Sequence, residues 1–232
     1  MSERLRRLSA EPGLAAILLD VDGMLAPIVA RPEDASVPPA TRRELERLRG
    51  RYALVACVSG RTGEDARRIV GVDGLVYVGE HGLELEPEAD AWAGRLAEFA
   101  DAADWPAERK RLTVSFHYRD RPQGREALEP EARRAEREGL RPRWGRMVLE
   151  VRPPLDADKG TAIRRLLGDR GLDRALYAGD DTTDLDAFRA LDGVEVGVRV
   201  AVRSAEAPAG LEDAADLVVD GPGEMAALLG RL

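Results

Sequence analysis

Cysteine and aromatic residues are scarce in this chain of 232 residues, and no long basic run interrupts its acidic balance. The single cysteine, Cys57, cannot form an internal disulfide, and its apolar neighbours predict a small buried residue. A total of 35 basic against 43 acidic residues gives a net charge of -8, which argues against a nucleic-acid partner. The first apolar run, Leu14–Leu19, is far shorter than the ~20 residues of a membrane span. We therefore expect a cytoplasmic protein with neither a nucleic-acid nor a membrane partner. We also expect it to be a monomer.

Apolar runs of strand length alternate with segments of helical periodicity at both ends of the chain. Hydrophobic residues make up 44% of the sequence, enough for a sizeable core. The predicted strands are Leu14–Leu19, Ala53–Val58, Leu75–Val78, Ala175–Ala178, Val194–Val198 and Leu217–Val219. This alternation predicts an α/β fold with a doubly wound, mostly parallel sheet that is buried on both faces.

The middle of the chain has a different pattern. Between Arg111 and Arg119 apolar and polar residues alternate as in a strand with one buried face, and a charged helical stretch follows from Arg125 to Glu138. We expect a small α+β insert at residues 83–155 that divides the core domain into residues 1–82 and 156–232.

Two carboxylates, Asp20 and Asp22, follow the first predicted strand and precede Gly23. Ligands of open α/β sheets bind at the carboxyl ends of the strands. A carboxylate in that place can attack an electrophile such as phosphorus, and a second can donate a proton to a leaving oxygen and then activate water. The alternative is that the two residues only form a turn or a helix cap.

Two further segments have the character of an anion site. Ser59, Gly60 and Arg61 follow the second predicted strand, where backbone N–H groups at the start of a helix can face an anion. Lys159 stands at the entrance of a predicted helix, where the helix dipole disfavours a cation unless an anion lies beside it. An N-cap at Ser59 and a solvated ammonium at Lys159 are the competing interpretations.

The most specific motif is Gly179-Asp180-Asp181-Thr182-Thr183-Asp184, which follows another predicted core strand. Three carboxylates within five residues are unfavourable without a cation. Mg²⁺ prefers hard oxygen ligands, so we expect a magnesium site formed by this cluster together with Asp20.

The order of these motifs resembles that of the haloacid dehalogenase-like phosphohydrolases. The segments Asp22–Ile28, Glu80–Glu84 and Gly145–Pro153 are similar to those of the trehalose-6-phosphate phosphatases, and the resemblance covers almost the whole chain. Met24 and Leu185 depart from the family pattern, which has threonine and glutamate there.

The resemblance implies a magnesium-dependent phosphatase that converts trehalose 6-phosphate to trehalose and phosphate. Asp20 would form an aspartyl-phosphate and Asp22 would act as acid and base. Ser59, Gly60 and Lys159 would bind the phosphoryl group. The implied metal ligands are Asp20, the carbonyl of Asp22 and Asp180, with Asp181 and Asp184 as further candidates.

The same resemblance implies a lid at residues 83–155 and a set of groups that bind the sugar phosphate. Those groups are Arg61, His81, Gly145, Arg146 and Glu150. A structural role is equally open for His81 and Glu150. Another sugar phosphate as substrate, transfer of the phosphoryl group to a second sugar, and a catalytically silent phosphosugar sensor remain alternatives.

Overall fold

A computed structural model of the chain describes residues 2–29, 31–119, 121, 123–145, 147–203, 208 and 210–232. The chain divides into two compact units, of which the first combines Met1–Gly82 with Ala157–Leu232 and the second spans Leu83–Asp156. Among the described helices, none is both long and apolar enough to cross a membrane.

Within the described residues the structure has eight α-helices and ten strands. The helices are α1 (Glu3–Ala10), α2 (Pro39–Arg49), α3 (Gly63–Val70), α4 (Ala93–Asp101), α5 (Gly124–Arg137), α6 (Lys159–Gly168), α7 (Asp184–Ala190) and α8 (Gly221–Leu229). The strands are β1 (Ala15–Leu19), β2 (Leu54–Val58), β3 (Val76–Val78), β4 (Glu108–Arg109), β5 (Val114–His117), β6 (Arg141–Gly145), β7 (Val148–Arg152), β8 (Arg174–Gly179), β9 (Val196–Arg203) and β10 (Leu217–Asp220).

The first unit is built on a parallel sheet of six strands in the order β10-β9-β8-β1-β2-β3. Every residue of β1 and β2 is buried, which explains why both strands are continuous apolar runs in the sequence. The predicted doubly wound α/β core is confirmed.

The strand order reverses beside β1, and this position matters for function. The chain runs from β1 to β2 and β3 on one side, and then continues from β8 to β9 and β10 on the other. Adjacent strands whose connections leave in opposite directions form a crevice at their carboxyl ends, where open α/β sheets bind ligands. The crevice of this sheet lies at the ends of β1 and β8.

Local sequence signals place the two helices that begin at this edge. The side chain of Thr62 accepts the backbone N–H of Asp65 at the start of α3. At the start of α6, Asp158 accepts the backbone N–H of Thr161 at 2.7 Å, and the Thr161 hydroxyl accepts the N–H of Asp158 at 2.8 Å. This capping box fixes the first residue of α6, Lys159, in place.

The second unit has an antiparallel sheet in the order β4-β5-β7-β6. One face of this sheet forms a core with α4 and α5, which includes Phe99, Phe116 and Leu128. The rings of Phe99 and Phe116 meet edge to face with their centroids 6.2 Å apart. The predicted α+β character of the insert is confirmed.

Both predicted ends of one strand differ from the structure by two residues or more. The strand expected at Val194–Val198 is β9, which runs from Val196 to Arg203. The apolar run ends before Arg199, but the strand continues because the Arg199 guanidinium donates to the carbonyl of Phe188 at 3.1 Å and β9 pairs with strands on both sides.

Candidate active site

The carboxyl ends of three neighbouring strands carry polar residues of the candidate site. Asp20 follows β1, Ser59 follows β2 and Asp180 follows β8. The N–H of Asp20 donates to the carbonyl of Ala178 at 2.9 Å, which extends the pairing of β1 with β8 by one residue. The three residues therefore lie at one edge of the sheet, at the crevice where the strand order reverses.

Lys159, the first residue of α6, extends its ammonium group between two carboxylates. Its Nζ lies 2.9 Å from Asp20 Oδ2 and 2.7 Å from Asp184 Oδ1, and only 2% of its side chain is exposed. Burial acts to lower the pKa of Lys159, but the charges of Asp184 and Asp20 outweigh it, so the pKa is raised. A charged ammonium is thus held beside Asp20, where the sequence predicted a phosphate-binding group.

Asp184 is fully buried and accepts hydrogen bonds at both carboxylate oxygens. Its Oδ1 accepts from Lys159 Nζ and, at 2.7 Å, from the hydroxyl of Tyr177. Its Oδ2 accepts the backbone N–H of Asp181 at 2.8 Å. Asp184 therefore ties the lysine, the end of β8 and the acidic loop to one another.

Three carboxylates in this region could hold a cation. Asp20, Asp180 and Asp184 each offer an oxygen atom, and these atoms all lie within 4.8 Å of one another. Burial raises the pKa of Asp20 to about 7 in spite of Lys159, and burial with the charges of Asp20 and Asp184 raises that of Asp180 to about 8. One ammonium does not balance three carboxylates, so the donor set and the charge both suit a divalent cation with oxygen ligands.

The turn after Asp22 lies directly against Asp180. Gly23 has a φ of 72°, in the region that favours glycine. A Cβ atom at this position would lie 2.0 Å from Asp180 Oδ2, so a larger residue would displace the carboxylate. The backbone of this turn and the Asp180 side chain can thus share a small ligand, in agreement with the carbonyl of Asp22 as an implied metal ligand.

Asp22 is held by Arg61. The Nε and Nη2 atoms of Arg61 donate to the two carboxylate oxygens of Asp22 at 2.7 and 2.8 Å. Its Nη1 donates to Asp65 Oδ2 at 2.7 Å and to the carbonyl of Pro32 at 3.1 Å. Burial acts to lower the pKa of Arg61, and the hydrogen bonds to Asp22 and Asp65 raise it overall.

The predicted phosphate-binding loop is packed against a segment with unusual backbone geometry. Glu80 and His81 have φ values of 49° and 55°, a region in which such residues are strained by ~1–3 kcal/mol each. The N–H of His81 donates to the carbonyl of Ser59 at 2.9 Å. A Cβ atom at Gly60 would lie 2.7 Å from the His81 ring. Ser59, Gly60 and His81 are therefore neighbours, and the strained segment is what brings the imidazole to the loop.

One of the predicted metal ligands, Asp181, does not join the other carboxylates. Asp181 is exposed, its carboxylate accepts the N–H of Thr182 at 2.7 Å, and it stands outside the cluster of Asp20, Asp180 and Asp184.

Two of the three predicted sugar-binding residues of the insert lie on the sheet of the second unit. Gly145 ends β6, and Glu150 on β7 pairs with Ser115 and Arg143 on the neighbouring strands. Arg146 lies outside the described residues.

Tyr177 was missed by the sequence reasoning as a member of the site. Its hydroxyl is fully buried, and its ring packs edge to face against Phe188 with centroids 6.1 Å apart. The available signal was a phenol in an otherwise apolar strand directly before Gly179, because a buried hydroxyl requires a hydrogen-bond partner. Asp65 was also missed, since its pairing with Arg61 depends on how α3 begins.

Comparison with known proteins agrees with this geometry. A sequence model of the family described as trehalose-phosphatase matches residues 18–106 and 106–216. The trehalose-phosphate phosphatase of Mycobacterium avium (strain 104) is 36% identical over 213 residues, which are 81% of this chain and 54% of that relative. The chain thus spans about half the length of this curated relative.

Solved structures give the same fold. The crystal structure of a trehalose-6-phosphate phosphatase related protein aligns with a TM-score of 0.74 and 28% identity, and the alignment covers 93% of this chain and 96% of that one. A haloacid dehalogenase-like hydrolase from Bacteroides thetaiotaomicron aligns with a TM-score of 0.64 and 16% identity, covering 94% and 98% of the two chains. The latter likeness concerns the fold alone, and both support the predicted core with an inserted α+β unit.

Proposed function

Because the chain belongs to the trehalose-phosphatase family, we propose that it is a phosphomonoesterase that hydrolyses trehalose 6-phosphate to trehalose and phosphate. The observation that carries the proposal is the buried ammonium of Lys159 between Asp20 and Asp184 at the ligand-binding edge of the sheet. A nucleophilic carboxylate beside a fixed cation is what transfer of an anionic phosphoryl group requires, because electrostatic positioning dominates such reactions.

In the first step an oxygen of Asp20 attacks phosphorus while the bond from phosphorus to the sugar oxygen breaks. Asp22 supplies the proton that the departing sugar oxygen takes up. Lys159 and Ser59, with the backbone at Gly60, hold the phosphoryl oxygens in place. In the second step Asp22 takes a proton from water, which attacks phosphorus and releases Asp20 and inorganic phosphate.

A magnesium ion would be held by the carboxylates of Asp20 and Asp180 and the carbonyl of Asp22, with Asp184 as a further candidate, whereas Asp181 lies outside this cluster. The raised pKa values of Asp20 and Asp180 support this proposal, because burial and the neighbouring carboxylates disfavour their charged forms, and a cation bound there would offset both effects. When bound there, the ion would neutralise charge on the phosphoryl group.

The second unit has the proposed role of a lid that excludes water and contacts the sugar through Gly145, Arg146 and Glu150. His81 is proposed to contact substrate from beside the phosphate-binding loop. A cytoplasmic location and a monomeric state complete the proposal.

The test is phosphate release by the purified chain with Mg²⁺ over a panel of trehalose 6-phosphate, glucose 6-phosphate, mannosylglycerate phosphate and 4-nitrophenyl phosphate. A strong preference for trehalose 6-phosphate supports both the activity and the substrate. Equal and slow release from every ester would remove the trehalose assignment. No release from any ester would favour a silent phosphosugar sensor.

A further inference from the structure

The guanidinium of Arg61 meets the chain's own carboxylates at the candidate site. The resemblance assigned this residue to the substrate, yet its hydrogen bonds go to Asp22, Asp65 and Pro32. We infer that Arg61 is a positioning residue that orients the acid and base group Asp22, and that it does not bind the sugar. This inference rests on the proposed function, since it assigns Asp22 the proton-transfer role.

The donor count of Arg61 leaves little capacity for a substrate. A guanidinium has five N–H groups. Two of them bind Asp22 in the bidentate geometry that gives the strongest and most directional pairing with a carboxylate. The two hydrogens of Nη1 are directed at Asp65 and at the carbonyl of Pro32. At most one N–H remains for a sugar hydroxyl.

Arg61 is itself held firmly enough to orient another residue. Only 15% of its side chain is exposed. Asp65, which binds its Nη1, lies in the first turn of α3 and also accepts from Arg68 at 2.6 Å. The backbone of Arg61 is fixed as well, because its carbonyl accepts the N–H of Glu80 at 2.7 Å.

Asp22 needs such support. Its side chain is 41% exposed and precedes a glycine in a left-handed turn, so packing restrains it weakly. Proton transfer requires the carboxylate to lie within hydrogen-bond reach of the leaving oxygen. A displacement of about 1 Å can reduce a rate by about 10²-fold. The bidentate pair fixes both oxygens of Asp22 and thereby supplies the missing restraint.

The chemistry gives a readout that separates positioning from sugar binding. During phosphoryl transfer to Asp20, a poor leaving group needs the proton from Asp22, whereas a good one departs as an anion without it. Aryl phosphates have no sugar hydroxyls. Loss of a sugar contact therefore leaves the hydrolysis rates of aryl phosphates unchanged. A misplaced Asp22 instead slows the hydrolysis of those aryl phosphates whose phenol is a poor leaving group.

The experiment measures kcat/KM of Arg61→Gln for 4-nitrophenyl phosphate and for phenyl phosphate, whose leaving group has a pKa of about 10. We expect a loss of about 3-fold or less with the nitrophenyl ester and of about 30-fold or more with the phenyl ester, within the range of general acid catalysis. Arg68→Gln is the matched control, because it removes the other guanidinium from Asp65 and should leave both values within about 2-fold.

Equal losses with the two aryl esters would overturn the inference, since they would indicate a general phosphate contact. Unchanged aryl esters with a raised KM for trehalose 6-phosphate alone would overturn it in favour of sugar binding. If Arg61→Gln fails to fold, Asp65→Asn is the substitute, because it weakens the restraint on Arg61. It should again reduce kcat/KM more for phenyl phosphate than for 4-nitrophenyl phosphate, by a smaller factor. If the wild-type chain hydrolysed none of these esters, that result would instead contradict the proposed function.

Discussion

At the scale of single residues, the candidate site depends on hydrogen bonds that converge on Asp184. The residue accepts from Lys159 Nζ, from the Tyr177 hydroxyl and from the backbone N–H of Asp181. A buried carboxylate is stable only when its oxygens are satisfied. Asp184 therefore holds Lys159 in place, and Tyr177 in turn holds Asp184.

Tyr177→Phe removes one hydroxyl and keeps the ring. We expect kcat to fall by about 10-fold with little change in KM, because Asp184 then orients Lys159 less well. The lost hydrogen bond to a charged group should also lower stability by about 1.5–3 kcal/mol. Steady-state kinetics and thermal unfolding measure the two effects.

Phe188→Leu is the control for Tyr177→Phe, because it disturbs the packing against the Tyr177 ring and leaves the hydroxyl. It should lower the stability without the loss in kcat. An equal fall in kcat for both variants would show that Tyr177 acts through packing only.

Gly23→Ala tests the contact between the turn and Asp180. The added Cβ atom would meet Asp180 Oδ2, so we expect the variant to need at least about 10-fold more Mg²⁺ for half-maximal activity. Titration of activity with Mg²⁺ provides the measurement. Gly171→Ala is the matched control, because Gly171 has a φ of 61° and no atom within 4 Å of its added Cβ. A normal Mg²⁺ requirement in Gly23→Ala would contradict the proposed metal site.

At the scale of elements, the N-terminus of α6 is the important case. A lysine at the positive end of a helix dipole is unfavourable, and here the carboxylates of Asp20 and Asp184 offset it. The capping box of Asp158 and Thr161 fixes where the helix begins and hence where the ammonium group lies. The cap is thus part of the support of the site.

Asp158→Ala should lower stability by about 1 kcal/mol through the lost cap. We also expect a fall in kcat of several-fold, because the first turn that carries Lys159 becomes less ordered. Ser2→Ala removes the cap of α1, where the Ser2 side chain accepts the N–H of Leu5. It should have a similar cost in stability and full activity. Full activity in Asp158→Ala as well would contradict the role of the cap.

The elements of the core could be predicted from the sequence because parallel strands buried on both faces are continuous apolar runs. Strand β6 was missed, since Arg141–Gly145 contains a proline and no apolar alternation, and its pairing with β7 defines it. The convergence of Asp20, Ser59 and Asp180 could be anticipated, because parallel strands end at one edge. The pairing of Arg61 with Asp22 could not be anticipated. It depends on how far side chains reach between two loops, and the periodicity of the sequence carries no information on that distance.

At the scale of the whole molecule, acidic residues outnumber basic ones, and carboxylates also outnumber cations in the buried cluster of the site. The chain has a net charge of -8, which includes the carboxylates of the buried cluster, and the pKa values of Asp20 and Asp180 in that cluster are raised to about 7 and about 8. Deprotonation of the cluster without a cation therefore adds repulsion to an already anionic molecule.

Without metal, the stability should depend on pH through Asp20 and Asp180. Their folded-state pKa values of about 7 and about 8 exceed the ordinary value of 3.8, so the stability that their protons contribute is complete below about pH 4 and is lost as pH rises through 7 and 8. We expect the midpoint of thermal unfolding in EDTA to fall between about pH 4 and pH 8, by about 2–4 °C for each kcal/mol lost, and these two groups should cause little further change above about pH 8. Asp180→Asn should reduce this slope, and Mg²⁺ should restore stability at about pH 8. A flat profile would contradict the account of the cluster.

The central claim is that Asp20 carries the phosphoryl group during the reaction. The most direct measurement is an acid quench of the Asp22→Asn variant turning over 4-nitrophenyl phosphate, followed by mass analysis of the peptide that contains Asp20. The account predicts a phosphorylated peptide that accumulates, because this variant lacks the base for hydrolysis, and none in Asp20→Asn. Release of nitrophenol with Asp20 unmodified at every quench time would contradict it.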